Sequence, residues 1–177
     1  MFLSSYILSI EKIESMNNNI INNKIIPSLY MRMSEEEQKQ FLKEGRILVI
    51  STINEEGWPH STPVWYIFHE GEIYFRAQSY KKKIKNISLN GKVSGCLDEG
   101  DSYKNLRGIS FIGVATIVKD LSVKKRLEQI LINKYSEQRQ IHMMPTDWRQ
   151  KHESEQRDLV RVTIKKIMSW DNRKWIE

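Results

Sequence analysis

Along the chain the spacing of apolar positions switches repeatedly between a helical and a strand period, and those switches mark out its elements. Ser34 and Glu37 form an S-x-x-E capping box and Gly45 supplies a stop, which predicts a short helix over residues 34–44. RILVIST (46–52) is an apolar β-branched run, and an Asn54–Gly57 turn joins it to PHSTPVWYIF (59–68). A second turn, His69–Gly71, leads into EIYFRA (72–77), so the three runs read as a strand meander. Residues 80–90 carry Ile84, Ile87 and Leu89 among lysines and end at Asn90-Gly91, a helix with a stop signal. KVSGCLD (92–98) returns as a strand, and after a polar loop Arg107–Lys119 is a long strand whose Gly113 marks a bend or bulge. Val123, Leu127, Ile130, Leu131 and Tyr135 recur at the spacing of an amphipathic helix. Residues 136–157 are polar and irregular, with Met143, Met144, Pro145 and Trp148 as lid or partner contacts, and 159–170 is the closing strand. Six strands with meander connections and a few helices predict a mainly β, α+β fold: a small antiparallel barrel with peripheral helices.

The first 33 residues stand apart from this pattern. Phe2, Leu3, Tyr6, Ile7 and Ile10 recur at helical spacing, but Ser and Glu break the apolar run well short of a membrane span. Residues 17–24 are mostly Asn, a low-complexity patch. We therefore expect an arm over 1–33, loose or docked on a partner subunit, and a single domain over 34–177, with neither signal peptide nor membrane anchor. The 177 residues carry 40% hydrophobic and 28% charged side chains, ordinary for one globular domain. A formal net charge of +6 favours an anionic partner without saying which. The single Cys96 excludes an intramolecular disulfide and fits a cytoplasmic protein. Its place in an apolar-flanked strand reads as a small packed hydrophobe, not a nucleophile.

Motifs narrow the chemistry mostly by exclusion. The chain has no internal repeat, zinc spacing, P-loop, G-x-G-x-x-G or nucleophile elbow. His60, His69, His142 and His152 are dispersed and lack metal spacing, so no metal site is expected. Glu35, Glu36, Glu37, Glu55 and Glu56 sit at a helix start and a turn, where charge is ordinary, so acid-base hydrolysis has no support. What remains is a pair of adjacent segments, GWPHSTPVWY (57–66) and YFRAQSYKKKIKN (74–86). The first offers backbone polar groups and aromatic walls to a flat ring. The second offers Ser79, Lys81, Lys82, Lys83 and Lys85 to a phosphate near a helix start. A phosphorylated flavin-like cofactor satisfies both halves.

The order and spacing of these pieces resemble the pyridoxamine 5′-phosphate oxidase-like family over about residues 34–170. The carrying motifs are Gly57, Pro59, His60, Pro63, Val64 and Trp65, then the strand-helix with Lys83 and Asn86, then the run from Leu106 to Ala115. The resemblance implies an FMN-binding type of split β-barrel, a homodimer with cofactor sites at the subunit interface, and FMN or the deazaflavin coenzyme F-420 as cofactor. It assigns Thr62, Pro63, Val64 and Trp65 to the ring, Arg76 and Ala77 to the neighbourhood of the ribityl phosphate, Lys82 and Lys83 to the phosphate, and Arg107 to a basic position on the facing strand. It implies hydride transfer with a small, planar unsaturated substrate and no dedicated catalytic side chain. The oxidase proper has Arg where Thr62 and Lys82 stand, and its C-terminal substrate-phosphate Arg motif has no counterpart here, so pyridoxamine phosphate oxidase activity is not expected. The ending Ser169–Asp171 is similar to deazaflavin-dependent members, and the lysine run suits that coenzyme's polyglutamate tail, which tilts the choice toward F-420.

Blander readings accompany these. The Lys81–Lys85 run also reads as a solvated helix face, and Arg107 as a surface partner of Asp98, Glu99 or Asp101. Of the neighbours Trp65 and Tyr66, one must face away from the site, because successive strand residues point to opposite sides. Two other function classes share the same residues: a cofactor-binding protein for storage or delivery without turnover, and a basic barrel that binds nucleic acid through YFRAQSYKKKIK.

Overall fold

The computed structural model describes residues 31–137, 145–147, 150 and 156–174. Residues 1–30 of the arm expected over 1–33, together with His142, Met143, Met144, Trp148 and His152, lie outside the described residues. Six antiparallel strands run in chain order as β1 (Ile47–Ile53), β2 (Pro59–His69), β3 (Glu72–Gln78), β4 (Lys92–Glu99), β5 (Arg107–Ile117) and β6 (Arg157–Asp171). They close into a barrel in the order β1-β2-β3-β6-β5-β4. Among the described residues, α1 (Glu35–Glu44), α2 (Lys82–Leu89) and α3 (Leu121–Lys134) accompany them. The fold is thus the mainly β, antiparallel split-barrel type that the pattern predicts.

Local chemistry sets each corner. The Ser34 hydroxyl accepts from the Glu37 N–H while the Glu37 carboxylate accepts from the Ser34 N–H, so the capping box at α1 is complete. Glu70 and Gly71 both take positive φ, 50° and 81°, the twist that a two-residue hairpin turn between β2 and β3 requires. The β5–β6 register shifts between Ile112 and Gly113, which places the bulge at the predicted glycine. Gly45 departs from expectation in its reason. It follows α1 with φ −56°, not in the left-handed region, and a Cβ there would overlap the Tyr66 hydroxyl and the Leu97 side chain. Close approach, not turn geometry, demands the glycine.

Strand alternation sorts the residues into two faces. Leu48, Ile50, Tyr66, Ile73, Phe75, Ile109, Phe111, Val160 and Val162 fill the barrel, with Phe41 and Leu42 of α1 and Ile84 and Ile87 of α2 packed against them. A second cluster joins Leu127, Leu131 and Tyr135 at the α3 end of the chain to Ile67, Tyr74 and Leu159 on the outside of the sheet. Inside the barrel, the Asn86 amide of α2 donates to the Thr52 hydroxyl at 2.9 Å, giving both buried polar groups a partner.

Phe111 owes its place to Gly95 on the neighbouring strand, where any Cβ would lie within the phenyl ring. Gly95→Ala should therefore destabilise the barrel by about 1–3 kcal/mol through overpacking, with an unchanged denaturant slope in urea unfolding. The double variant Gly95→Ala with Phe111→Leu should recover part of that loss.

Candidate functional site

The barrel is closed but not evenly paired. The β2–β3 ladder runs from His69↔Glu72 to Tyr66↔Phe75 and stops there. Beyond that point β2 continues along β1 as far as Ile53↔Pro59, while β3 continues along β6 as far as Gln78↔Arg157. The two strands splay apart, and between them lies a cleft of about 400 Å³. Ile47 of β1, Pro63, Val64 and Trp65 of β2, Arg76, Ala77 and Gln78 of β3 and Lys83 of α2 line it.

Backbone direction gives this cleft its polar character. Tyr66 turns its N–H and C=O toward the β1 side, where the Tyr135 hydroxyl meets both. Antiparallel alternation then turns the N–H and C=O of Trp65 and the C=O of Pro63 toward the split. Pro59 and Pro63 fall on that same edge, where their missing N–H breaks no ladder bond. A flat heterocycle entering the cleft therefore meets apolar surface from Ile47, Val64 and Trp65 and main-chain donors and acceptors along one edge.

At the other end, α2 begins in the split. Its N-cap residue Lys81 makes no side-chain capping bond, so no side-chain cap occupies the positive end of the helix dipole. Lys83 lines the cleft, and burial together with the neighbouring Lys81 charge pushes its ammonium below the usual lysine range. Among the described residues no carboxylate pairs with it. The Thr62 and Ser79 hydroxyls are buried without a hydrogen-bond partner on the two diverging strand ends. An unpaired lysine, an uncapped helix start and two orphan hydroxyls fit the phosphate half of a cofactor as well as the open strand edges fit a ring.

Six of the predicted site residues, Pro63, Val64, Trp65, Arg76, Ala77 and Lys83, come together on this cleft. Thr62 is next to it in β2 but does not line it, and Lys82 is the exposed first residue of α2. Lys85 turns away to pair with Glu55 of the β1–β2 hairpin at 2.8 Å. Arg107 lies outside the lining: it pairs with Glu99 across β4–β5 and packs over the Phe41 ring at 4.9 Å, the structural partner the sequence also suggested. Ser169 is likewise engaged in the fold, accepting from the Met33 N–H at 3.1 Å and the Gln38 amide at 3.2 Å. Cys96 is half-buried on β4, and burial pushes its thiol up, away from nucleophilic use.

Of the Trp65–Tyr66 pair, Tyr66 is the inward residue, fully buried, its hydroxyl donating to the Leu42 carbonyl at 2.8 Å. Trp65 faces out, 39% exposed, with its ring stacked on Tyr135. Sequence reasoning missed Ile47 and Gln78 as lining residues and saw Tyr135 only as a mark of helix periodicity. No local signal singles these out, since β1 and α3 reach the cleft through packing.

The family model described as pyridoxamine 5′-phosphate oxidase matches residues 34–171. The chain belongs to the pyridoxamine 5′-phosphate oxidase-like family. No curated protein is similar to it at a significant level. Among solved structures, a conserved hypothetical protein from Mycobacterium tuberculosis is 31% identical, with a TM-score of 0.69, covering 81% of this chain and 88% of that one. A FAD-binding protein from Mesorhizobium loti shares 17% identity and a TM-score of 0.61 over 77% of this chain and 94% of its own. An F420 reductase shares 18% identity and a TM-score of 0.55 over 73% of this chain and 94% of its own. The last two likenesses speak for the family's barrel alone.

Beside the cleft, Lys134 donates to the Gly45 and Lys43 carbonyls at 2.6 and 3.0 Å and lies over the Tyr66 ring at 4.6 Å. Burial and the nearby Arg46 charge push its ammonium down to about 8. The native state therefore releases this proton at a lower pH than the unfolded chain does, and the Lys134 contribution to stability should rise between pH 8 and the ordinary lysine range. Melting temperatures measured across that window should show the rise in the unmodified protein and a flatter profile in Lys134→Met.

Proposed function

We propose that this protein is a flavin- or deazaflavin-dependent oxidoreductase that binds FMN or coenzyme F-420 in the β2–β3 cleft of a homodimer. The observation that carries the reading is the splayed strand pair itself, with an open backbone edge and aromatic wall at one end and the unpaired Lys83 beside a helix start at the other. The bound cofactor would supply hydride transfer at its central ring.

Each residue then has a definite task. Pro63 and Trp65 hold the ring edge through main-chain groups, and Ile47 and Val64 exclude water from its face. Lys83 and Lys82 at the start of α2 take the phosphate, with Thr62 and Ser79 as hydroxyl donors. Arg76 and Ala77 line the path between the two halves. Arg107, matched by the family resemblance to the facing strand, would reach a cofactor only from the far side of the barrel or across the dimer. Between the two cofactors we favour F-420, because Lys81 remains exposed beside the phosphate-binding Lys82 and Lys83 and suits a longer anionic tail. The substrate we assign is a small, planar unsaturated molecule stacked on the exposed ring face, and we place the protein in the cytoplasm on the single-cysteine argument. No helix of the described residues is long and apolar enough to cross a membrane.

The outward faces of β1, β2, β5 and β6 support the dimer. Ile47, Val49 and Trp65 are exposed on β1 and β2, where Ile47↔Trp65 and Val49↔Pro63 are cross-strand neighbours, and Ile112, Val114 and Met168 are exposed on β5 and β6. A second copy covering it would also close the open side of the cleft. The nucleic-acid reading loses ground on burial: Tyr74 and Phe75 are inside the protein, so β3 presents no aromatic ladder on which bases could stack.

Fluorescence titration of cofactor-free protein with FMN and with F-420 tests the central reading. One cofactor should bind, and Lys83→Ala should weaken it about ten- to hundredfold, the worth of a charge-assisted phosphate contact. Binding of neither would sink the oxidoreductase assignment, whereas tight binding without turnover of a reduced cofactor would leave a storage or delivery protein. Val49→Asp should convert a dimer to a monomer in sedimentation velocity and weaken cofactor binding at the same time. A monomeric unmodified protein would remove the interface from the proposal.

A further inference from the structure

We infer that Tyr135 is a positioning residue for the cleft, fixing the plane of Trp65 and thereby selecting which flat rings the cleft accepts. This rests on the cofactor reading above and adds to it a residue that lies outside the cleft, in another cluster of the fold.

Among the described residues Trp65 is the one aromatic lining the cleft, and it projects from the outer face of β2 with 39% of its surface exposed. A tryptophan in that position has several rotamers open to it unless something holds it. Tyr135 does so. The two rings are nearly parallel, 2° apart, with centroids separated by 4.7 Å, a stacked pair. Tyr135 itself is 1% exposed, and its hydroxyl is tied to main chain on two strands. It accepts from the Tyr66 N–H at 3.0 Å, and lies 2.6 Å from the Arg46 carbonyl and 2.8 Å from the Tyr66 carbonyl, to one of which it donates its single proton.

The phenol thus stands between β1 and β2 one residue beyond their last pair, Ile47↔Trp65. Packing among Leu127, Leu131 and Leu159 holds its ring against Trp65, while its hydroxyl gives the Tyr66 N–H a partner in a buried place. The consequence is a cleft wall whose orientation exists before any ligand arrives. A planar conjugated ring meets a surface that needs no ordering, which strengthens binding of flat rings relative to puckered or bulky ones. The hydroxyl and the ring have separable duties: the hydroxyl braces the strands, and the ring orients Trp65.

That separation defines the test, made on the full-length protein with FMN and F-420 as probes. Tyr135→Phe should lose stability in urea while keeping cofactor affinity, because the stack survives. Tyr135→Leu should weaken the bound cofactor about three- to tenfold, the range of an aromatic pair. The same change placed on Trp65→Leu should produce no further weakening, while its cost in stability persists. Near-ultraviolet circular dichroism of ligand-free protein supplies a readout independent of any cofactor: the signal removed by Trp65→Leu should already be reduced in Tyr135→Leu and retained in Tyr135→Phe. Additive losses of affinity in the double variant, or an unchanged dichroism signal in Tyr135→Leu, would overturn the inference and leave Tyr135 a structural brace. If the unmodified protein binds neither cofactor, the proposed function fails and this role fails with it. Binding that is normal in the unmodified protein and unaffected in Tyr135→Leu would sink this role alone.

Discussion

The divergence of β2 from β3 after the Tyr66↔Phe75 pair is the constraint from which the rest of the structure follows. A barrel wall that opens leaves main-chain donors and acceptors without their usual partners, and such groups must find others. Each strand therefore leans harder on its remaining neighbour, β2 on β1 and β3 on β6, both of which stay paired to their ends. The helix that follows β3 is drawn into the gap, and its Asn86 is anchored at Thr52 on the barrel's inside. The proposed cofactor cleft lies where the β2–β3 ladder stops.

Two braces keep the opening from spreading. On one side, Lys134 and Tyr135 at the end of α3 clasp the α1–β1 junction and the Tyr66 backbone, converting a strand end into a cross-linked corner. On the other, Asp171 of β6 receives a bidentate contact from Arg173, and Lys174 reaches the Glu37 carboxylate and the Arg32 carbonyl, fastening the last strand to the start of α1. Glu37 and Asp171 are both held below the usual carboxylate range by these cations, so the clasp loosens as pH falls through and below that range.

Much of this was legible in the sequence because it is written at short range. The capping box at Ser34, the His69–Gly71 hairpin, the Gly113 bulge and the opposite facing of Trp65 and Tyr66 each follow from residues a few positions apart. The cleft residues on β2 and β3 were legible for the same reason, being contiguous in two neighbouring strands. What escaped was long-range. Tyr135 reaches Tyr66 across 69 positions and carries no motif. Gly45 looks like a helix stop until the Tyr66 hydroxyl is seen beside it. The lysine run reads as uniform, yet the structure divides it: Lys83 faces the cleft, Lys85 is spent on Glu55, and Lys81 and Lys82 remain at the surface. Helical phase and a hairpin thirty positions earlier decide that division.

The prolines of β2 bear on a different hazard. An unpaired strand edge is an invitation to another chain, since any extended peptide can complete the ladder and begin an aggregate. Pro59 and Pro63 lie along the edge that the barrel leaves open, spaced so that two of its donor positions are blank. A passing strand finds acceptors there but an interrupted row of donors, and cannot zip into register. A small heterocycle, needing only a contact or two, is not deterred. The same two residues that let the barrel stay open therefore decide the size of what can enter it: a molecule is admitted, a polymer is refused.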